Sequence, residues 1–184
     1  MRADAQRNRE AILDAARACF EDEGINASTD GIAVRAGVGN ATLYRNFPTR
    51  DDLLAAVVEE SVETLLAASR SMAERDPAAA LREWMFQLTW RLRTWQDLPT
   101  CIARTKDDDG NPVQPVSERL TARTEDFLRR ASGGREPVVP AAEVFELLTA
   151  LSWGIDRFGD DEERARARVD LATAGVSARI AAPG

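Results

Sequence analysis

The stretch between residues 37 and 50 constrains the fold more than any other part of the sequence. A helical segment ends at Arg35-Ala36, and Gly37 supplies the sharp turn after it, because glycine adopts a left-handed backbone without strain. A second short helix opens at Gly39-Asn40 and closes at Pro48, since proline cannot continue a helix. Two short helices joined by such a turn predict a helix-turn-helix, the motif whose second helix enters the major groove of DNA.

Apolar residues recur every three or four positions along most of the remaining chain, which is the period of a helix buried on one side. This period predicts a helix over residues 8–23, a short one at about 29–36 with Ser28 as its N-cap, and a long one after Thr49. Thr49 and Asp52 have the spacing of a capping box. No segment shows the alternation of a strand. The sequence therefore predicts an all-α chain with about nine helices.

A second, helical domain is predicted over residues 51–184, behind an N-terminal domain of residues 1–50. From Pro77 onward one helix is apolar around much of its circumference, and such a helix lies between other helices. The last two helices, at about 140–158 and 160–182, each carry a regular apolar stripe, which closes either an intramolecular bundle or an interface between two chains. On the last helix the stripe comprises Ala165, Val169, Ala172, Val176 and Ile180.

The charge of the chain argues against a protein that coats nucleic acid non-specifically, because such binding rests on many phosphate contacts. The formal net charge is -7, and residues 1–60 hold seven arginines against eleven acidic residues. Between Gly31 and Arg50, however, the sequence has no acidic residue and keeps Arg35, Arg45 and Arg50. Contact with DNA would therefore depend on local charge at this stretch.

The composition excludes most catalytic and metal sites. The chain has no histidine, so Ser-His, Cys-His and His-metal sites are impossible, and no metal-ligand cluster is visible. Two cysteines are too few for a disulfide framework. The N-terminus lacks the apolar run of a signal peptide, and no stretch is long and apolar enough to cross a bilayer. We therefore expect a reduced cytoplasmic protein with no membrane partner, no cofactor, no metal and no catalytic site.

Residues 8–60 resemble the N-terminal domain of the TetR family of bacterial transcriptional regulators. The resemblance implies a homodimer whose three-helix unit binds a palindromic double-stranded DNA operator. It also implies that the following helices bind a small-molecule effector and that the last two of them form the dimer interface. A repressor released by its effector is the function it favours. The resemblance rests on Ile32-Ala33, Arg35-Ala36-Gly37-Val38-Gly39, Ala41-Thr42-Leu43-Tyr44-Arg45, Phe47-Pro48-Thr49-Arg50 and Leu53-Leu54.

The same resemblance implies which residues meet the DNA backbone and which are core. Leu43 and Phe47 match core positions of the family. Hydroxyl groups and a cation near helix N-termini suit phosphate contacts, which fix the register of a protein on the duplex. The residues that match phosphate-contacting positions are Ser28, Thr42, Tyr44, Thr49 and Arg50.

Three further residues match outward positions of the recognition helix. Arg45 can read guanine with two hydrogen bonds, and Asn40 can read adenine or bond a phosphate. Asn46 stands where family members often have histidine, and it keeps a hydrogen-bond donor there. Gly31 stands where they often have an acid, so the capping box of that helix is lost. We expect Asn40, Arg45 and Asn46 to complete the DNA-binding surface.

Aromatic and sulfur-containing residues in the second domain have two interpretations. They line a pocket for an apolar or aromatic effector, or they are packed core, which is the commoner role of tryptophan and methionine at helical spacing. The sequence leaves both open. The residues concerned are Trp84, Met85, Trp90, Trp95, Cys101 and Phe127.

A rival hypothesis is a helical ligand-binding or interaction protein that has lost DNA binding. The excess of acidic residues over residues 1–60 and the asparagine at position 46 support it. An enzyme is a more distant alternative, because nothing in the sequence pairs a nucleophile with a base.

Overall fold

A computed structural model of the chain describes residues 2–93, 113–137 and 139–181. Within these ranges the protein forms helices and no strand, which confirms the predicted all-α class. The predicted total of about nine helices also counted residues outside the described ranges. The described helices are α1 (Arg2–Glu23), α2 (Thr29–Arg35), α3 (Asn40–Asn46), α4 (Arg50–Met72), α5 (Pro77–Leu92), α6 (Gln114–Ala131), α7 (Ala141–Arg157) and α8 (Glu162–Ala181).

The described residues fall into two compact units. The first contains residues 2–61 and 113–116, and the second contains 62–93 and 117–181 apart from residue 138. Helix α4 contributes to both units. The two domains predicted at residues 1–50 and 51–184 therefore remain a prediction about how the chain is organised.

In the first unit, α1, α2 and α3 pack against one another around a small apolar core. Gly24 (φ 79°) ends α1 in the left-handed conformation, where a side chain would be strained. Helix α1 begins at Arg2, before the predicted start at residue 8, and an acid in its first turn, Asp4, favours this extension. The core includes Ile12, Ala16, Phe20, Ile32, Leu43 and Phe47, each at most 3% exposed.

In the second unit, α5 lies against both α7 and α8, as its broad apolar surface predicts. Asp76 caps α5 by accepting a hydrogen bond from the backbone N–H of Ala79, and Pro77 occupies its first turn, where no N–H partner is needed. The buried side chains of α5 are Ala80, Leu81, Trp84, Met85, Phe86, Leu88, Thr89 and Leu92.

The buried stripe of α8 differs from the predicted one at Ala172 and at Ile180, which is only half-buried. Ala165, Val169 and Val176 are buried as predicted, but Ala172 is exposed and Thr173 takes its place inside. A step of four residues from Val169 keeps Thr173 on the packed side of the helix. The hydroxyl of Thr173 donates to the carbonyl of Val169 at 2.8 Å, so this polar side chain is buried with its hydrogen bond made.

Candidate DNA-binding surface

The turn between α2 and α3 is fixed by backbone hydrogen bonds around one glycine. Gly37 (φ 68°) lies in the left-handed region, and its N–H donates to the carbonyl of Val34 at 3.1 Å. The N–H of Val38 donates to the carbonyl of Ala33 at 3.0 Å. These two bonds form a Schellman motif, which satisfies the last carbonyls of α2 and sets the direction in which the chain leaves it. The predicted turn is confirmed.

The beginnings of α2 and α3 are capped in different ways. Ser28 caps α2, since its hydroxyl accepts a long hydrogen bond of 3.4 Å from the N–H of Gly31. At α3, Gly39 has no side chain to offer, and its carbonyl accepts from the N–H groups of Thr42 (2.8 Å) and Leu43 (3.1 Å). At the other end, Phe47 leaves the helical region (φ -137°, ψ 92°), as expected for a residue that precedes proline.

Helix α3 has the buried and exposed sides that the sequence predicts. Leu43 and Phe47 are 1% and 3% exposed and anchor the helix to the core of the first unit. Asn40, Tyr44 and Arg45 are exposed. The helix is thus held from one side and offers polar and cationic side chains on the other.

Two side-chain hydrogen bonds tie the first turn of α2 to α3. The hydroxyl groups of Thr29 and Tyr44 lie 3.1 Å apart, and the amide of Asn40 donates to the carboxylate of Asp30 at 2.7 Å. The stretch from residue 31 to 50 contains no acid in sequence, yet Asp30 brings a carboxylate to it in space. A stretch without acids in the sequence therefore does not give a surface without acids, because sequence spacing does not reveal which helix N-terminus lies beside α3.

Two other predicted contact residues bond within α3. The guanidinium of Arg45 donates to the hydroxyl of Thr42 at 2.9 Å. The amide of Asn46, which is half-buried, donates to the carbonyl of Thr42 at 2.8 Å. The donor that Asn46 was expected to offer therefore bonds the backbone of its own helix in this conformation.

Thr49 and Asp52 form the capping box that their spacing predicts. The hydroxyl of Thr49 accepts from the N–H of Asp52 at 3.0 Å, and the carboxylate of Asp52 accepts from the N–H of Thr49 at 2.9 Å. The same hydroxyl also donates to that carboxylate at 2.7 Å. The hydroxyl of Thr49 therefore uses both its donor and its acceptor in the cap at the start of α4.

Arg50, predicted as a phosphate contact, is bonded to the backbone of its own unit. Its guanidinium donates to the carbonyl of Ala27 at 2.8 Å and to the carbonyl of Ile25. These carbonyls belong to the connection between α1 and α2, so Arg50 ties that connection to the start of α4. In this conformation the side chain is half-buried and directed towards protein rather than outwards.

The other two arginines of the stretch have different surroundings. Arg35 pairs with Asp22 at 3.1 Å, and this hydrogen bond, with a weaker one to the thiol of Cys19, raises the pKa of the guanidinium. Arg45 is exposed and bonds a neutral hydroxyl. Arg45 is thus the arginine of this stretch best placed to meet an anion.

Three of the predicted effector-binding residues are buried in the core. Trp84, Met85 and Phe127 are at most 1% exposed. The rings of Trp84 and Phe127 stack with centroids 5.2 Å apart, and the indole N–H of Trp84 donates to the hydroxyl of Thr124 at 3.0 Å. A tryptophan with its ring covered and its donor satisfied is complete without a ligand. Trp95 and Cys101 lie outside the described residues.

Trp90 is the predicted effector residue that lines a cavity. An open cavity of about 340 Å³ is bordered by Gln87, Trp90, Arg91 and Glu162. One face of the indole stacks on Phe86 (centroids 5.8 Å apart), and the Cζ atom of Arg93 lies 3.4 Å from the Trp90 ring centroid. Because these neighbours cover the ring, the cavity is bordered mainly by polar and charged groups.

The described residues were also considered for metal binding and for membrane-spanning helices. No group of three or more cysteine or carboxylate side chains among them is arranged to hold a metal ion. None of the helices in the same ranges is long and apolar enough to span a membrane.

Comparisons with known proteins agree with this geometry. Residues 12–57 match the family of bacterial regulatory proteins called the tetR family. An HTH-type transcriptional regulator of Staphylococcus aureus (strain bovine RF122 / ET3-1) is 39% identical over 67 residues, 36% of each protein. The chain thus aligns with about a third of the length of that curated relative.

Solved structures extend the likeness to the whole fold. A TetR transcriptional regulator from Streptomyces coelicolor shares 28% identity over 91% of this chain and 97% of its own, with a TM-score of 0.59. The regulator FadR from Bacillus subtilis, solved in complex with stearoyl-CoA, shares the fold with a TM-score of 0.64 and 14% identity, over 95% of this chain and 99% of its own. Proteins of this fold therefore have the N-terminal helix-turn-helix followed by a helical domain, as the sequence predicts.

Proposed function

Since the chain belongs to the TetR family of bacterial regulatory proteins, we propose that it is a transcriptional regulator that reads double-stranded DNA with α3. The observation that carries the proposal is the two-sided structure of this helix. Leu43 and Phe47 are buried, whereas Asn40, Tyr44 and Arg45 are exposed. The relatives are regulators rather than enzymes, in agreement with a sequence that has no histidine.

In the proposed complex, α3 lies in the major groove and the surrounding hydroxyls meet the DNA backbone. Arg45 would read guanine, and Asn40 would read adenine. Hydroxyl groups at or near helix beginnings, where phosphate contacts fix the register of the protein, are carried by Ser28, Thr42 and Tyr44. Thr49 would join them by exchanging its hydrogen bond to Asp52 for one to a phosphate. Asn46 would offer its amide oxygen as an acceptor to the amino group of a base, because an N–H of the same amide bonds α3 itself. Two copies of α3 would read a palindrome with half-sites about one helical turn apart or a multiple of it.

The DNA proposal is tested by selecting duplexes from a random pool with the wild-type protein and then titrating the selected site by gel shift across a salt series. We expect Arg45→Ala to lower discrimination at one base position by about tenfold or more, with little change in affinity for random DNA. Arg91→Ala removes the same charge from an exposed position on α5 and should leave both affinities unchanged. A wild-type protein that retards no duplex even at low salt would favour the rival hypothesis of a ligand-binding protein without DNA binding.

We propose that the regulator is a homodimer formed through α7 and α8. Trp153, Phe158 and Leu171, on these helices and the turn between them, are 51%, 66% and 80% exposed. Large exposed apolar side chains on two helices that pack together support a surface that is covered in solution. Small residues surround Leu171 on the exposed side of α8 and would allow close helix contact: Ala167, Ala174, Gly175 and Ala178.

The turn that carries Phe158 is held by a buried carboxylate. Gly159 (φ 62°) lets the chain turn, and the side chain of Asp160 is fully buried against the guanidinium of Arg168, with bonds of 2.6 and 3.2 Å. The hydrogen bond from Arg168 holds the pKa of Asp160 below its ordinary value, despite the opposing effect of burial. The Cζ atom of Arg168 also lies 5.0 Å from the Phe158 ring centroid, so one arginine orients both residues.

The dimer is tested by Leu171→Glu, which places a charge at the centre of the proposed interface. We expect its dimer dissociation constant, measured by sedimentation equilibrium, to rise by about thirtyfold or more. Arg82→Glu, at another exposed position of α5, is the control and should leave that constant unchanged. A wild-type monomer, or a Leu171→Glu dimer of unchanged affinity, contradicts the interface.

We further propose that a small apolar or aromatic effector binds the second unit and releases the operator, so that the protein is a repressor. Membership of the family supports this, as does the Bacillus subtilis regulator FadR, which shares the fold and was solved in complex with stearoyl-CoA. Helix α4 contributes residues to both units and is the element we assign to the coupling. By linkage the operator must weaken effector binding by the same factor, and a bound effector that leaves operator affinity unchanged would exclude this role.

A further inference from the structure

Asp30 places a carboxylate within the proposed DNA-binding surface. It is exposed, and it accepts a hydrogen bond of 2.7 Å from the amide of Asn40, the first residue of α3. A negative charge beside a helix that meets phosphates lowers DNA affinity, so its position needs a compensating role.

The local sequence explains why Asp30 faces α3. An acid three residues after the N-cap reaches back to the N-cap N–H, but glycine occupies that position at residue 31. The acid of this helix lies one residue earlier, at position 30, and its side chain accepts a hydrogen bond from Asn40. The carboxylate is therefore used between two helices rather than as a cap.

The hydrogen bond fixes the orientation of the Asn40 amide. An ionised carboxylate only accepts hydrogen bonds, so the NH₂ group of Asn40 must face Asp30. The carbonyl oxygen of the amide is then not the atom that faces the carboxylate, and this bond uses only one N–H of the NH₂ group. An oxygen acceptor beside an N–H donor is the pair with which asparagine reads the N6 and N7 atoms of adenine.

The carboxylate of Asp30 also lowers the affinity for DNA that lacks the operator sequence. In a non-specific complex the affinity comes from phosphates, which the charge of Asp30 repels. In the specific complex the correctly oriented Asn40 gains base contacts that offset this repulsion. Asp30 therefore increases the difference in affinity between operator and random DNA in two ways. It orients Asn40 for the bases of the operator, and it weakens binding to random DNA.

We infer that Asp30 is a specificity-determining residue of the DNA-binding surface, which acts by positioning the Asn40 amide and by repelling phosphates in non-specific complexes. This inference rests on the proposed DNA-binding function. It assigns the residue a role that neither capping nor core packing provides.

The test uses the full chain and the duplex selected by the wild-type protein. Dissociation constants are measured for that duplex, for its three single-substitution variants at each base pair, and for random DNA. We expect Asp30→Ala to lower the ratio of random to operator dissociation constants about tenfold and to broaden base preference at one position in each half-site. Glu21→Gln removes one exposed charge from α1 and should keep the ratio within twofold.

The positioning role is separated from a simple charge effect by the pair Asn40→Ala and Asp30→Ala/Asn40→Ala. If Asp30 acts through Asn40, its removal changes base preference in the wild-type background and not in the Asn40→Ala background. Equal changes in both backgrounds, or an unchanged ratio in a variant that melts like the wild type, overturn the inference. Failure of the wild-type protein to select any duplex instead overturns the proposed function, so the two failures are distinct.

Discussion

Both compact units are built from α-helices. The side chains that distinguish them lie at the surface in the first unit and in the core in the second. In the first unit the polar residues around α3 bond one another or nearby backbone at the surface, as Asn40 does with Asp30. In the second, Trp84 and Phe127 stack on each other inside the core. A hydroxyl that caps its own helix, as that of Thr49 does, has a direction that local spacing determines. An apolar stripe indicates only which side of a helix is covered.

Among the substitutions that test this contrast between the two units, one at Trp84 is expected to have the largest effect on stability. Trp84→Ala removes a fully buried ring and its hydrogen bond to Thr124, and we expect the free energy of unfolding to fall by about 4 kcal/mol. Urea denaturation followed by circular dichroism measures this loss without relying on tryptophan fluorescence.

Thr124→Val is the matched variant, because it keeps the packing volume and leaves the indole N–H without its acceptor. It should cost about 2 kcal/mol. A Trp84→Ala protein that loses less than about 1 kcal/mol and instead loses affinity for an effector would show that the ring lines a binding cavity, and the contrast between the two units would then fail.

Local spacing explains which features could be predicted from the sequence. Thr49 and Asp52 are three residues apart, so their capping box depends on one helical turn and nothing else. Leu43 and Phe47 are four apart on α3, and both are buried as their spacing predicts. Gly37 adopts the left-handed conformation that a sharp turn after a helix requires.

The features that were missed depend on contacts between distant parts of the chain. Asp30 and Asn40 lie ten residues apart on either side of a turn, and Arg50 bonds carbonyls 23 and 25 residues earlier. No periodicity encodes these pairs, because they exist only once the helices are packed. The choice between core and cavity for Trp84 likewise depends on how closely neighbouring helices approach, which an apolar pattern leaves undetermined.

A smaller effect on stability is expected at Arg50. This residue tests whether a polar side chain of the first unit bonds the protein itself or DNA. If Arg50 serves the protein rather than DNA, Arg50→Ala removes charged hydrogen bonds to the carbonyls of Ile25 and Ala27. We expect the free energy of unfolding to fall by about 2 kcal/mol. Arg45→Ala, which removes the same charge from an exposed position on α3, should change it by less than about 0.5 kcal/mol.

Arg50→Lys distinguishes geometry from charge at the same position. A lysine keeps the positive charge but lacks the planar guanidinium that bonds two carbonyls at once, so we expect it to recover only part of the lost stability. A phosphate contact predicts the reverse, since lysine is an adequate phosphate ligand and would preserve DNA affinity. If Arg50→Ala unfolds like the wild type while its affinity for all duplexes falls and Arg50→Lys restores that affinity, the side chain must leave the two carbonyls to meet DNA. Arg50 would then be a second cation of the binding surface beside Arg45.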